Sequence, residues 1–329
     1  MRVVAPGRVN LIGDHTDYTG GLVFPMAIDR YTTIDCEYSD SLVSLTSDDD
    51  PDPVSFRVTD VFDATMTPRW GRYVAAVTSL MENPHGISGS VSTTIPVGAG
   101  LSSSAALEVA VALACGESST PTQVAQLTQR AELLATGVPT GIMDQLCIAS
   151  AQEGHGTLID CRTLEVQHIP IPKDVEFIVQ FIAHRTLEGS EYATRVNQCN
   201  EAEQIIGPLR DATIEQASSI TDPVIRRRAE HVISENERVL KFTRALQLHD
   251  FVSAGQLMTE SHWSLSKLYE TSTPQMDAVV TKILSQPGVY GVRMTGGGFG
   301  GCVVAMVQPG TALDGWRVRP VSGAFVQND

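Results

Sequence analysis

The sequence predicts an α+β fold in two lobes. Three observations carry this. Residues up to about 60 read mostly as strands, residues 190–270 read mostly as helices, and strands return at the chain end around a glycine-rich turn. A chain of 329 residues suits two domains of ordinary size. We place the boundary near 165, giving units 1–165 and 166–329.

The elements follow in order. A short apolar strand leads into a polar, Gly-rich loop, and a second strand runs from about Leu22 to Cys36. Patches of alternation over 41–60 suggest further strands, with the acidic run Asp48–Asp50 at a turn. Trp70, Tyr73, Val74, Val77 and Leu80 fall on one helical face. Residues 88–95 alternate as a strand, and apolar helices are expected at 104–114, 121–136 and 141–151. Residues 156–160 and 175–183 read as strands. Pro208 and Pro223 break the helical middle, and the end is strand, glycine turn, strand.

Composition narrows the function. Hydrophobic residues make up 42% and charged residues 19%, as in a soluble chain with a real core. No run is long and apolar enough for a membrane span, and MRVVAPGRVN has no signal-peptide pattern, so the expected address is the cytosol. A net charge of −15 repels polyanions and argues against nucleic acid as a partner. Phosphate must then be held locally, by backbone amides, a metal or a few cations. The six cysteines are scattered, without a C-x-x-C pair, and read as buried thiols.

Three motifs carry chemistry. The first, Gly7 to Gly21, packs Arg8, Asp14, His15 and Asp17 between a strand and a Gly-Gly turn. Carboxylates and imidazole suit sugar hydroxyls, which they meet with several hydrogen bonds. Taken alone, a turn with solvated charges is the favoured reading, since any Gly-rich loop carries such residues. The second, Pro96 to Leu107, has Gly98 and Gly100, which let a ligand approach the backbone, and Ser102, Ser103 and Ser104 at a helix start. Free helix N–H groups there suit phosphate. No G-K-[ST] follows, so it is not a Walker loop. A simple serine cap is compatible with both uses. The third, Gly296 to Gly301, holds five glycines in six positions, more than a hairpin needs. It leaves room for a ligand, for another backbone, or for a flexible turn.

Together, in this order and spacing, the motifs resemble those of the GHMP kinases, and the first resembles the galactokinase signature. The resemblance extends through Trp70 with Tyr73-Val74, Gly141 to Gln145, Ile159 to Arg162, Ser190 to Tyr192 with Arg195 and Cys199, Ser261-His262, and Val289 to Cys302. It implies a two-lobed GHMP-kinase fold. The N-terminal lobe would be a mixed-sheet nucleotide and sugar domain, and the C-terminal lobe a helix-covered antiparallel sheet.

The resemblance also implies roles. Asp144 would sit beside the sugar 1-hydroxyl as base or orienter, with Arg8 neutralising charge near it and the γ-phosphate. Asp14, His15, Asp17, Gly141 and Tyr192 would contact the sugar. Gly98, Gly100, Ser102, Ser103 and Ser104 would wrap the phosphates of ATP, and Trp70 would stack on adenine. Ser104 and Glu132 would hold Mg²⁺, whose preference for oxygen ligands they meet. Each residue has a plainer reading. Asp144 and Glu132 could be helix charges paired with surface cations, Trp70 a core indole, and His15 a satisfied loop histidine. The implied reaction is ATP-dependent phosphorylation of D-galactose by a monomer.

The sequence departs from the family pattern at a few points. Asp14 stands where the signature usually has Glu, a reach shorter by about 1.5 Å. That keeps a related sugar such as L-arabinose, or an amino or N-acetyl galactose, as an alternative. Thr19 replaces the usual Asn. Only six residues precede Gly7, and the usual helix before the final strand is expected to be absent or reduced. A non-catalytic sugar and ATP sensor is a third reading, disfavoured by the uninterrupted loop Gly98–Ala106.

Overall fold

The computed structural model describes residues 1–184 and 191–327. Ser190, part of the family resemblance, lies outside the described residues. In chain order the first part holds β1 (Arg2–Asn10), β2 (Leu22–Val23), β3 (Pro25–Ser39), β4 (Leu42–Ser47) and β5 (Val54–Arg57). Then come α1 (Arg69–Leu80), β6 (Gly86–Thr93), α2 (Ser103–Ala114), α3 (Pro121–Thr136), α4 (Met143–Ser150), β7 (His155–Asp160) and β8 (Glu165–Pro170). The second part holds β9 (Glu176–Ala183), α5 (Tyr192–Ile206), α6 (Ile214–Ser218), α7 (Pro223–Gln247), α8 (Phe251–Ser264) and α9 (Pro274–Leu284). It ends with β10 (Val289–Thr295), β11 (Gly301–Val307), β12 (Trp316–Val318) and β13 (Phe325–Gln327).

These form three sheets. The first is mixed, ordered β13-β1-β3-β6-β4-β5, with only β4 and β6 parallel. The second is antiparallel, ordered β10-β11-β9-β12, and the third is β2-β7-β8. The expected boundary at 165 falls at the first residue of β8, which still pairs with β7. The chain end does not stay in the second lobe, because Phe325–Gln327 returns to pair with β1. No helix separates β11 from β12.

Local chemistry explains the helices. Thr120 and Gln123 form a capping box at α3, Pro121 opens it, and left-handed Gly137 closes it. Asp222 accepts the Val224 and Ile225 N–H groups, and Pro223 occupies the first position of α7. Pro223 therefore starts a helix rather than breaking one. The face of α1 is rotated from the expectation. Val74 to Thr78 are buried, whereas Trp70 and Tyr73 are only partly covered and lie at a cleft.

Two hydrophobic cores result. One lies under the mixed sheet around α2 and extends to Phe177, Val179, Cys302 and Val304. The other lies between the second sheet and the helices, around Tyr269, Met276, Val292 and Val303. Helix α7 serves both. Ile225, Ala229, Val232 and Ile233 belong to the second core, while Val239, Phe242 and Leu246 belong to the first. All six cysteines are free. Among the described residues, no helix is long and apolar enough to cross a membrane.

Helix α8 lies directly on β10. A Cβ on Gly255 would fall 2.1 Å from the Tyr290 carbonyl oxygen, and one on Gly291 would fall 2.0 Å from that of Gly255. The obstructing atoms are backbone, so the two elements would have to separate. Gly255→Ala is expected to destabilise by about 1–3 kcal/mol, the usual range for overpacking. Urea unfolding checks this, and an unchanged midpoint would mean the contact is not tight.

Candidate active site

The site begins at the end of β1. Arg8 is 2% exposed. Its Nε and Nη2 donate to the two carboxylate oxygens of Asp144, each at 2.6 Å, and its Nη1 donates to the Gly100 carbonyl at 2.8 Å. The pairing is a bidentate fork, the strongest form of this ion pair. Asp144 stands in the first turn of α4, and its side chain keeps 27% of its surface exposed. It is therefore a partly open carboxylate held from behind by a buried cation, not a surface pair.

The loop 96–102 is fixed to the same strand. The Arg8 N–H donates to the Leu101 carbonyl at 3.1 Å, and a Cβ on Gly7 would meet that carbonyl at 2.8 Å. Gly98, Gly100 and Ser102 all have positive φ. Ser102 precedes α2, but its hydroxyl donates to Asp144 instead of capping the helix. The first-turn amides of α2 are left without a side-chain cap, which suits an anion.

Behind this loop lies a cluster of acids. Ser104 Oγ donates to Glu132 Oε1 at 3.0 Å, while Thr140 Oγ1 and Gln145 Nε2 both donate to Oε2 at 2.9 Å. Gln145 also donates to the wholly buried Glu108 at 3.2 Å. Burial, and then the charge of Asp144, pushes the Glu132 carboxyl above its usual range. Burial and Glu132 push Glu108 well above. A cation beside Ser104 and Glu132 would relieve this accumulation, and both offer the oxygen donors Mg²⁺ prefers. Among the described residues, no three His, Cys, Asp or Glu side chains converge to form a metal cage.

On the other side of Asp144 is a small pocket lined by Arg8, Asp14, His15, Asp17, Glu132, Thr140, Gly141, Met143, Asp144, Tyr192 and Gly297. Asp17 lies against Gly141, where a Cβ would come within 2.0 Å of its carboxylate. Burial first, then the negative charges of Asp144 and Asp14, raises Asp17 to about 7. His15 has a positive φ of 66°, hydrogen-bonds Tyr18 through Nδ1 at 2.9 Å, and packs on Tyr192 with ring centroids 5.4 Å apart. A second cleft, lined by Asp50, Trp70, Tyr73, Gly98, Gly100 and Ser102 to Ser104, shares Glu132, Thr140 and Asp144 with this pocket.

Every site residue expected from the sequence thus falls at these two clefts. Two differ in detail. Ser102 spends its hydroxyl on Asp144. Asp14 lines the pocket with each oxygen already accepting one hydrogen bond: Arg293 Nη2 donates to one at 2.5 Å, and the Gly296 N–H to the other at 3.1 Å. Both Asp14 and Arg293 are buried. The third motif is used in both ways its glycines allowed. Gly297 lines the pocket, and Gly298 leaves room for the Thr271 carbonyl, which a Cβ would meet at 2.5 Å. Sequence reasoning missed Arg293, and also Glu235, which accepts the Gly13 N–H at 3.0 Å. The signal for Arg293 was a single charge within the otherwise uncharged strand Val289–Thr295.

The chain is similar to known proteins over nearly its full length. A model of the galactokinase galactose-binding signature matches residues 1–37, and models of the GHMP kinase N-terminal and C-terminal domains match residues 72–152 and 242–316. Human galactokinase is 42% identical over 96% of this chain and 86% of its own length. The galactokinase of Canis lupus familiaris is also 42% identical, over 94% of this chain and 84% of its own. The galactokinase of Lactococcus lactis, solved with galactose, superposes with a TM-score of 0.90 at 28% identity, covering 98% of this chain and 94% of that one. The mevalonate kinase of Methanococcus jannaschii shares the fold, with a TM-score of 0.70 at 20% identity and 98% coverage of both chains. With relatives this similar over nearly its full length, and with the signature and both kinase domains matched, the chain belongs to the galactokinase family of the GHMP kinases.

Proposed function

We propose that this chain transfers the γ-phosphoryl group of ATP to the 1-hydroxyl of α-D-galactose, releasing galactose 1-phosphate and ADP. The observation that carries the proposal is the meeting of the two clefts at Asp144 and Glu132. Phosphoryl transfer is mainly positioning and charge stabilisation, and such a meeting point supplies both. The sugar would lie among Asp14, His15, Asp17, Gly141 and Tyr192. ATP would extend from Trp70 over Gly98, Gly100 and Ser102 to Ser104.

Asp144 already accepts two hydrogen bonds from Arg8 and one from Ser102. A carboxylate so engaged has an acceptor position left for the 1-hydroxyl and is well held to orient it. The sugar oxygen bonds to the γ-phosphorus as the bond to the bridging oxygen of ADP breaks, and the hydroxyl proton passes to the Asp144 carboxylate or, where Asp144 only orients, to an oxygen of the transferred phosphoryl group. Arg8 offsets the negative charge there. Ser104 and Glu132 would hold Mg²⁺, which, when bound, neutralises phosphate charge. We take the protein to act as a monomer in the cytosol on small molecules alone, a reading its charge of −15 supports against polyanions.

A second reading keeps the chemistry and changes the sugar. The pairing of Asp14 with Arg293 and the Gly296 N–H favours it, because these bonds fix where the shorter carboxylate points and so which substrate arm it can meet. ADP release with Mg²⁺-ATP across D-galactose, L-arabinose, D-galactosamine, N-acetylgalactosamine and D-glucose separates the two. We expect D-galactose to lead, and a lead by another sugar would reassign the substrate. Asp144→Asn is expected to lower kcat on the order of 10²- to 10⁴-fold without unfolding the protein. Unchanged turnover would remove Asp144 from the mechanism.

Two further outcomes follow. Ser104→Ala is expected to raise the Mg²⁺ concentration needed for half-maximal rate by about tenfold. An unaltered Mg²⁺ titration would exclude a metal role. Asp17 titrates near 7, so it is mostly protonated at pH 6 and mostly ionised at pH 8. If the ionised form accepts from sugar hydroxyls, the sugar KM should fall by up to about tenfold across that range. A flat profile would mean that Asp17 ionisation does not govern sugar binding.

A further inference from the structure

The middle of α7 is a buried polar stripe between its two apolar halves. His231 and Glu235 are wholly buried and Asn236 is 8% exposed. All three point at the backbone of the loop that follows β1. His231 Nε2 donates to the Asp14 carbonyl at 3.2 Å, and its Nδ1 lies 2.8 Å from the Ser264 hydroxyl, which donates to it. Glu235 accepts the Gly13 N–H at 3.0 Å. Asn236 Oδ1 accepts the Leu22 N–H at 2.7 Å. None of the three lines the sugar pocket. We propose that His231, Glu235 and Asn236 are positioning residues that hold loop 13–22 in its sugar-binding shape, so that sugar affinity is set from a helix that touches no sugar.

The loop is strained at one point and its anchors match it chemically. His15 has a φ of 66°, a conformation that its surroundings must impose on a non-glycine residue, whereas Gly13 supplies its own positive φ freely. The loop carries Asp14, His15 and Asp17, so a small shift of its backbone moves three pocket side chains at once. The anchors are themselves braced. Glu235 accepts from Arg238 Nε at 2.8 Å and from the Ser261 hydroxyl. Burial opposes its charge, but Arg238 and His231 outweigh this and hold the carboxyl down to about 2. Burial holds His231 at about 4 and keeps it neutral, as its two opposite hydrogen-bond roles require.

The inference rests on the reading of this loop as the sugar site, and the test separates the two. Sugar and ATP KM, kcat and thermal midpoint are measured for the wild type, Glu235→Leu, Asn236→Leu and Ser261→Ala. Sugar KM is expected to rise about five- to tenfold in each of the two anchor variants, with the KM for ATP within twofold of the wild type. Glu235→Gln, which keeps an acceptor for Gly13, should recover most of the loss. Ser261→Ala removes a bond to the same carboxylate but none to the loop, so it should lower the midpoint and leave the sugar KM alone. If Glu235→Leu does not fold, Asn236→Leu decides. An unchanged sugar KM in the anchor variants, or equal rises for sugar and ATP, would overturn the proposal. A wild type with no sugar-dependent ADP release would instead overturn the sugar-site reading, and the proposal with it.

Discussion

A guanidinium that is 2% exposed must find its acceptors inside the protein, and Arg8 finds them on two segments distant from its own strand. Its own strand supplies the position, α4 supplies both oxygens of Asp144, and the loop before α2 supplies the Gly100 carbonyl. Leaving any of these donors unmatched would cost the desolvation of a buried charge. The fork therefore ties Asp144 to the glycine loop at Gly100. The geometry of the candidate site follows from charge satisfaction. The polar groups around it obey the same rule, with Asp14 drawing Arg293 from β10 and Glu235 drawing Gly13 onto α7.

The two lobes are joined more closely than a division at one residue suggests. Helix α7 belongs to both cores, and the last strand of the chain pairs with the first. The third glycine motif meets the first through Asp14 and Gly296, although 282 residues separate them. The site lies on this junction, where neither lobe is complete without the other. Such placement gives the candidate site a packed frame on both sides, as positioning chemistry would need.

Much of this was legible in the sequence. Periodicity located α3 and the openly alternating β6, but α9 (Pro274–Leu284) lies beyond the helical stretch read from the sequence, although Thr273 and Pro274 carry a start signal for it. The three motifs marked the site, since glycine and serine clusters leave a local trace. The long-range partners were not legible. Nothing near Asp14 announces Arg293, and nothing near Gly13 announces Glu235, because those pairings depend on tertiary packing and not on spacing. The same limit applied to Ser102. A serine before a helix reads as a cap, and only the folded position of Asp144 takes its hydroxyl away.

The contact of Asp17 with Gly141 has a consequence for how such a protein can change over time. The two positions are far apart in the chain, yet any side chain at 141 would occupy the space of the Asp17 carboxylate. A mutation at 141 is therefore also a mutation of the pocket floor, felt at once by a residue that has not itself changed. Relief would require a second change at 17 in the same lineage. The pair should drift together or stand still, a lock on sequence divergence that neither position would reveal alone.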